Sequence, residues 1–216
     1  MADGGLPPFA TPKSSGGGAA FTMAREFAVL IAVAIAVAFV MKATVAQAFY
    51  IPSPSMVPQL EVHDRIVVSK LAYHLHDPRR GDIVVFDCPP EAPNCKQPVH
   101  RFIVARLLRD VGEAVGMVQP DRDEYIKRVI ALPGESVEGR EGRVFVNGQP
   151  LNEPYLPEGV TTEDFPAALV PAGTLWVMGD NRGDSEDSRA FGPIKRSKVV
   201  GRTVFRIWPL TRMSFL

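Results

Sequence analysis

The chain has 216 residues, enough for one domain with a substantial hydrophobic core and short attachments. Its 24 basic and 24 acidic residues balance, which excludes the strongly basic surface of a nucleic-acid-binding protein, so no nucleic-acid partner is expected. Twenty prolines and 18 glycines, scattered among short β-branched runs, favour a turn-rich, mainly β protein.

Residues 1–24 are rich in Gly, Ser and Pro and are predicted to form a flexible tail. The run Phe27–Met41 is uncharged, and beyond Lys42 the chain stays uncharged as far as Phe49. Because a bilayer needs about 20 apolar residues, and a lysine near a helix end can snorkel, segment 25–48 is predicted to be a transmembrane signal-anchor helix. Two alternatives stay open. One is a cleaved signal peptide, with Ala46-Gln47-Ala48 as a cleavage or self-cleavage site, and the other is a buried core helix.

Residues 49–216 are predicted to form a β-rich domain. Short β-branched runs at 65–68, 82–86, 174–178 and 202–208 predict strands. Segment 143–151 predicts a hairpin, because Asn147-Gly148 between apolar residues is a strong signal for a two-residue turn. Residues from about 88 to 123 are predicted to be an excursion inserted in this sheet, and the sequence does not decide their structure.

Cys88 and Cys95 lie in a proline-rich stretch at the start of this excursion. A short-loop disulfide is predicted if the region faces an oxidising compartment, and two free thiols are the alternative. A zinc site with His100 would lack a fourth ligand. We therefore expect no metal.

Ser55 and Lys127 together point to catalysis. A serine hydroxyl becomes an effective nucleophile when a nearby base takes its proton, and a neutral lysine amine can be that base. The pKa of a free lysine is about 10.4, so a value near 8 requires burial among apolar neighbours at a cost of roughly 3 kcal/mol. Taken alone, Lys127 also fits an ordinary exposed strand lysine. No histidine of the chain lies in a motif that suggests a catalytic triad.

Four blocks, in chain order, resemble those of bacterial type I signal peptidase, a membrane-bound Ser–Lys serine protease that removes signal peptides. They are the serine block at 49–60, the strand block at 64–73 with 80–86, the lysine block at 125–135 and a Gly-Asp-Asn-Arg…Ser-x-Asp-Ser-Arg block at 179–189. The resemblance implies a mainly β fold, an antiparallel β-sheet catalytic domain of signal-peptidase or LexA-like type preceded by one transmembrane helix. One departure is Pro54, which stands where the family often has glycine.

The resemblance also implies the residue roles, with Ser55 as nucleophile and Lys127 as general base, without cofactor. The oxyanion hole would use the Ser55 N–H and the Ser53 hydroxyl, and Ser185 would orient the lysine amine. Two ion pairs would support the site: Asp187 with Arg189, and Asp180 with Arg128. Shallow pockets for small substrate side chains would be lined by Phe49, Ile51, Pro52, Met56, Leu60, Ile66 and Ile126. For Leu60 and Ile66, core packing is an almost equal expectation.

Only a few residues separate the predicted span from Ser55, which would hold the nucleophile near the bilayer surface. We therefore expect a single-pass plasma-membrane protein with a cytoplasmic N-terminus and an extracytoplasmic catalytic domain. Expected partners are signal peptides of exported preproteins, membrane lipids and, by proximity, the secretion translocon. The alternatives are a specialised relative such as a conjugation-pilin maturation peptidase, a Ser–Lys self-cleaving repressor, and a non-catalytic membrane-anchored β binding module. The repressor is disfavoured because no helix-turn-helix pattern precedes the β domain.

Overall fold

The computed structural model describes residues 16–90, 92, 95 and 124–216. Side chains are described for these residues except at 16–22 and 38–44. The chain divides into two compact units, Met1–Val40 and Met41–Leu216. The predicted tail up to residue 15 and most of the predicted excursion at 88–123 lie outside the described residues.

Helix α1 spans Gly16–Thr44, so the predicted bounds of 25–48 are wrong at both ends. The helix begins earlier because good helix formers such as Ala19, Ala20 and Met23 outweigh the weak propensity of the preceding glycines. It ends earlier because strand β1 (Ala46–Tyr50) commits its backbone groups to a neighbouring strand, and these groups cannot also continue a helix.

The described side chains of α1, from 23 to 37, are all exposed and almost all apolar. Phe27 is 68% exposed, Leu30 66% and Ile35 64%. A helix that is apolar all round is typical of an element buried in protein or lipid. Within the described part of the chain, no helix reaches the length and apolarity required to cross a membrane.

The second unit is built on a large antiparallel sheet. Its remaining strands are β2 (Arg65–Ser69), β3 (Ile83–Asp87), β4 (Glu124–Ala131), β9 (Thr174–Met178), β10 (Ile194–Lys195), β11 (Val199–Trp208) and β12 (Ser214–Phe215). Their order is β1-β2-β11-β3-β4-β9-β10, with β12 paired to β11. All pairings among the described strands are antiparallel, which confirms the predicted mainly β, antiparallel fold.

A smaller sheet has the order β7-β6-β5-β8. Its strands are β5 (Ser136–Arg140), β6 (Arg143–Val146), β7 (Gln149–Pro150) and β8 (Phe165–Leu169). The predicted hairpin is confirmed, since Asn147 and Gly148 have φ of 51° and 74° between the paired residues Val146 and Gln149. Positive φ at both central residues gives the type I′ turn that Asn-Gly adopts readily. The described residues of the unit also form two short helices, α2 (Ala72–Leu75) and α3 (Ser188–Phe191), and 3-10 turns at Arg196–Lys198 and Leu210–Arg212.

The described residues of the second unit form three apolar core clusters, and β4 contributes to all of them. Ile126 belongs to the cluster under segment 51–60, Val129 to the cluster between the large sheet and α3, and Ile130 to the cluster that joins the two sheets. Every β4 residue from Ile126 to Ala131 is buried. This strand therefore carries whatever polar side chain it contains into the protein interior.

A disulfide joins Cys88 and Cys95, directly after β3 ends at Asp87. Both half-buried cysteines pack against the cluster that contains Phe86 and Val129. Of the two alternatives that the sequence left open, the structure has the disulfide, and the described part of the chain holds no free cysteine. The bridge ties the beginning of the segment after β3 to the core.

Candidate active site

Ser55 lies in a compact loop between β1 and β2 and is 6% exposed. The ends of the loop are joined by the Ile51 N–H, which donates to Asp64 O at 3.0 Å. Within the loop, the Leu60 N–H donates to Met56 O at 2.8 Å, and both side chains have 0% exposure. These apolar side chains anchor the loop in the core and thereby fix the position of the serine.

Lys127 lies in the middle of β4, opposite Val84 of β3, and is 4% exposed. Its Nζ donates to Ser55 Oγ at 2.8 Å and to Ile126 O at 3.0 Å. The face of the Tyr125 ring lies 5.4 Å from the same nitrogen. The structure thus brings together the two residues predicted to react, which are 72 positions apart in the chain.

Burial lowers the pKa of Lys127 from 10.5 to about 8. The carboxylates of Asp187, Glu186 and Asp180 act in the opposite direction and raise this pKa, while Arg189 lowers it. With a pKa of about 8, the amine is neutral in roughly one molecule in ten at pH 7, whereas an ordinary lysine is neutral in fewer than about one in a thousand. Lys127 therefore has a usable population of the basic form near neutral pH.

Asp187 is fully buried, and its carboxylate accepts several N–H donors. It receives the Gly179 N–H at 3.0 Å and the Arg189 guanidinium at 2.9 and 2.8 Å, which confirms the predicted ion pair. It also caps α3 by accepting the Arg189 N–H at 3.2 Å. A buried carboxylate needs such donors. Arg189 also limits how strongly Asp187 raises the pKa of Lys127.

Arg128 and Asp180 form the second predicted ion pair, with two bonds of 2.8 and 2.6 Å. Both residues are buried, and the guanidinium also donates to Gly81 O at 2.8 Å and lies 3.9 Å above the Tyr155 ring. The pairing is confirmed. It fixes the 179–189 block to β4, one residue beyond Lys127.

The 179–189 block packs directly on the serine loop. The Asn181 backbone N–H donates to Ser55 O at 3.1 Å, and its side-chain amide donates to Pro54 O at 3.3 Å. A Cβ on Gly179 would overlap both Ser55 O and the Ser185 hydroxyl, so this close approach requires glycine. Sequence reasoning gave Asn181 no role, although its place in the Gly-Asp-Asn-Arg pattern was a signal.

Arg182 links the 179–189 block to the smaller sheet. No role for it was predicted from the sequence. Its guanidinium pairs with Glu153 and donates to Thr162 Oγ1 at 2.7 Å and to Gly179 O at 3.1 Å. Burial acts to lower the pKa of Arg182, but the Glu153 carboxylate more than offsets this, so that the pKa is raised. The arginine stays charged and holds the connection between β7 and β8 beside the site.

The two serines that were predicted to support the site, Ser53 and Ser185, differ in whether they contact the dyad. Ser53 Oγ lies 3.3 Å from Ser55 Oγ, as expected of a hydroxyl beside the nucleophile. The prediction that Ser185 hydrogen-bonds Lys127 is wrong: its hydroxyl is buried against Gly179 and has no hydrogen-bond partner among the described residues. Lys127 Nζ is oriented instead by its bonds to Ser55 and to the Ile126 carbonyl.

Most of the predicted pocket residues are core residues. Four of them have an exposure of 2% or less: Ile51, Met56, Leu60 and Ile66. Their side chains anchor the serine loop in the core, and their role in a substrate pocket stays a prediction. Ile126, at 7%, belongs to the same cluster. Phe49 is half-buried and Pro52 is exposed, so these two offer accessible surface close to the serine in sequence.

Comparison with known proteins gives one consistent result. The family model described as signal peptidase, peptidase S26, matches residues 24–208. Signal peptidase I of Leptolyngbya laminosa is 41% identical over 186 residues, covering 86% of this chain and 80% of the relative. Signal peptidase I of Mycobacterium tuberculosis H37Rv is 37% identical, covering 87% and 74%. A crystal structure of a signal peptidase I from Enterococcus faecalis is 29% identical, covers 59% of this chain and 97% of its own, and superposes with a TM-score of 0.40.

Proposed function

The chain belongs to the signal peptidase family, peptidase S26, and we propose that it performs that family's reaction with Ser55 as nucleophile and Lys127 as general base. The family match and the signal peptidase I relatives make it a hydrolase, a serine endopeptidase that cleaves signal peptides. The observation that carries the proposed dyad is the 2.8 Å contact between Lys127 Nζ and Ser55 Oγ in a buried site.

Acylation begins with neutral Lys127. In this form the hydrogen bond reverses, because the Ser55 hydroxyl donates to the amine lone pair over the same 2.8 Å. As Oγ attacks the scissile carbonyl carbon, the proton passes to Nζ. The resulting ammonium gives this proton to the departing amine when the peptide bond breaks, which leaves an ester between Ser55 and the signal peptide. Water then attacks the ester, Lys127 takes its proton, and Ser55 recovers its hydrogen.

The tetrahedral intermediate carries an oxyanion that needs donors already in position. The Ser53 hydroxyl, 3.3 Å from Ser55 Oγ, and the backbone N–H of Ser55 are the donors we propose. Pro54 removes no donor from this pair, because the N–H required belongs to Ser55. Asn181 holds the Ser55 carbonyl and so fixes the orientation of this backbone segment.

We propose that β1 receives the substrate. It lies at one end of the large sheet in the described part of the chain, and a strand at a sheet edge can pair with an added extended peptide. Such a peptide would pass Phe49 and Pro52 on its way to Ser55. A preference for small residues at the last and third-from-last positions of the signal peptide is expected from the shallow surface that these two residues offer.

Membrane anchoring through α1 is a further part of the proposal. Its described side chains are exposed and almost all apolar. Lipid would cover this surface. We propose a single span in the plasma membrane with a cytoplasmic N-terminus and an extracytoplasmic catalytic unit, where preproteins emerge from the secretion translocon.

The dyad is tested with full-length protein in nonionic detergent and a labelled preprotein, with the cut mapped by mass. Ser55→Ala and Lys127→Ala are expected to lose cleavage while keeping the circular dichroism of the wild type. Lys195→Ala removes an exposed lysine and is the matched control. Robust cleavage by either dyad variant would refute the assignment of that residue.

Anchoring is tested separately by carbonate extraction of membranes and by protease accessibility in spheroplasts. The protein should stay in the pellet, with a C-terminal tag that is digested from outside and an N-terminal tag that is protected. Recovery in the carbonate supernatant would contradict the span, and a protected C-terminal tag would contradict the orientation.

A further inference from the structure

A buried arginine, Arg206, lies near the end of β11 and is 8% exposed. It pairs with Ile66 of β2 in the large sheet. Because directly paired residues of antiparallel strands project to the same face of a sheet, Arg206 is directed to the face on which Ile66 packs. Ile66 shares its apolar cluster with Met56 and Leu60. The arginine therefore faces the serine loop, residues 51–64.

The Arg206 guanidinium bonds to the second half of the serine loop and to the segment that follows β11. Its Nη1 donates to Gln59 O at 2.6 Å and lies 3.5 Å from the Asp64 carboxylate. Its Nε donates to Arg212 O at 2.6 Å, and its Nη2 donates to Ser214 Oγ at 3.0 Å. Each of the three nitrogens has an acceptor, so the orientation of the planar guanidinium is fixed. The side chain can therefore support the loop rigidly.

Asp64 closes the serine loop, and two arginines lie beside its carboxylate. Asp64 O accepts the Ile51 N–H at 3.0 Å, and its Oδ2 accepts the Glu61 N–H at 2.9 Å. Arg212 Nη1 lies 3.4 Å from Asp64 and 2.6 Å from Glu61. The Arg206 side chain is 10% exposed and that of Arg212 is 26% exposed, so water screens the contact of Arg206 less. Arg206 is the more sheltered of the two supports.

Hydrogen bonds within the loop connect the carbonyl that the guanidinium holds with the nucleophile. The Leu60 N–H donates to Met56 O at 2.8 Å. The Val57 N–H donates to Pro54 O at 3.0 Å. These two turns overlap, so that Ser55 lies at the beginning of one short hydrogen-bonded segment and the carbonyl lies near its end. A displacement of the carbonyl is therefore expected to move the Ser55 hydroxyl.

We propose that Arg206 is a positioning residue for the reaction: by holding the Gln59 carbonyl, it keeps the Ser55 hydroxyl within reach of its base. The inference rests on the proposed dyad and adds a residue that holds the nucleophile in place. Attack and proton transfer depend steeply on geometry, and a displacement of about 1 Å can lower a rate about 10²-fold. Arg206 acts through the loop, so its removal slows the chemical step and leaves substrate binding in place.

The test is single-turnover cleavage of a labelled preprotein by full-length protein in nonionic detergent, with the enzyme in excess. This measurement separates the maximal rate from the enzyme concentration that gives half of it. Arg206→Gln is expected to lower the maximal rate at least about 30-fold and to change the half-saturating concentration less than about twofold. Arg206→Lys should lose only about three- to tenfold, because its ammonium can still donate to Gln59 O.

Two control variants separate positioning from charge and from stability. Arg202→Gln removes an arginine from the same strand, where it lies 3.1 Å from Asp82, outside the serine loop. Asn147→Ala destabilises the hairpin of the smaller sheet, because Asn147 has a φ of 51° and accepts the Ser136 N–H at 2.9 Å. Both controls are expected to keep the maximal rate within about threefold of the wild type.

An unchanged maximal rate in Arg206→Gln, or a loss of rate that either control reproduces, would overturn the proposal. A change confined to the half-saturating concentration would also overturn it, because Arg206 would then act in substrate binding. Should circular dichroism show that Arg206→Gln is unfolded, Arg206→Lys decides, and a maximal rate equal to that of the wild type refutes positioning. Failure of the dyad itself is distinguishable, since Ser55→Ala and Lys127→Ala would then retain cleavage.

Discussion

The pH dependence of cleavage tests the buried lysine directly. Catalysis requires neutral Lys127, so the rate must rise with pH as its ammonium loses a proton. Burial lowers the pKa of this residue to about 8, and kcat/KM should therefore show an acid limb centred near pH 8. Below that value, each unit of pH should reduce kcat/KM about tenfold.

The magnitude follows from the shift of the Lys127 pKa from 10.5 to about 8. At about 1.36 kcal/mol per pKa unit, the protein disfavours the ammonium by about 3 kcal/mol. At pH 7 the neutral fraction is about a tenth, compared with about three in ten thousand for an unshifted lysine. Burial thus makes the base roughly 300-fold more abundant at neutral pH.

The assay is initial-rate cleavage of a fluorogenic signal-peptide substrate between pH 6 and 10, with saturation curves at each pH. Glu186→Gln is an informative variant, because the Glu186 carboxylate raises the pKa of Lys127 and its removal should move the acid limb to lower pH. Glu158→Gln makes the same chemical change at an exposed position and should leave the limb in place.

Three results would refute this reasoning. An acid limb near pH 6.5 would indicate a histidine as the base, and a limb above pH 10 would indicate a lysine in ordinary solvent. A Glu186→Gln limb that moved to higher pH would contradict the electrostatic description of the site.

Three further outcomes follow from the same geometry. Ser53→Ala should lower the single-turnover cleavage rate about 10²–10³-fold with little change in KM, as expected for one oxyanion donor, whereas Ser53→Thr should retain most of the rate. Asp180→Asn should destabilise the catalytic unit by about 3–5 kcal/mol in urea unfolding, because Arg128 is left as a buried, unmatched charge. Lys127→Met should raise the free energy of unfolding by up to about 3 kcal/mol at pH 7. This gain should shrink as pH rises from about 8 to 10.5, since the folded protein binds fewer protons than the unfolded chain only in that window.

Local sequence patterns predicted those elements whose conformation depends mainly on neighbouring residues in the chain. The run 174–178 coincides with β9. Asn147-Gly148 forms the predicted turn because these two residues adopt positive φ readily, without help from the rest of the fold. The end of α1 was misplaced because residues 45–49 contain no helix-breaking residue. What ends the helix is pairing with β2, a contact with residues about 20 positions away that no local pattern reveals.

In the candidate site too, the sequence predicted what a local motif specifies and missed what depends on distant residues. The dyad was found because the motif resemblance names its members, and the structure brings them within 2.8 Å. The burial of Ile51, Met56, Leu60 and Ile66 could not be predicted, because an apolar side chain in the serine loop looks the same in sequence whether it faces a substrate or the core. Arg182 was overlooked because its partner Glu153 is 29 positions away. Ser185 was placed near the site correctly, but a motif does not specify which polar atom its hydroxyl meets.

The low pKa of Lys127 is a property of the whole core rather than of its immediate sequence. Its strand contributes to each of the three apolar clusters that the described residues form, and the residues on either side of Lys127 are buried. Three carboxylates act to raise the pKa, and burial prevails over them. Any change that admits water beside β4 should therefore raise the pKa of Lys127 and slow cleavage at neutral pH, even when no atom of the dyad has moved. The basicity of Lys127 therefore depends on the packing of β4, just as its catalytic role depends on contact with Ser55.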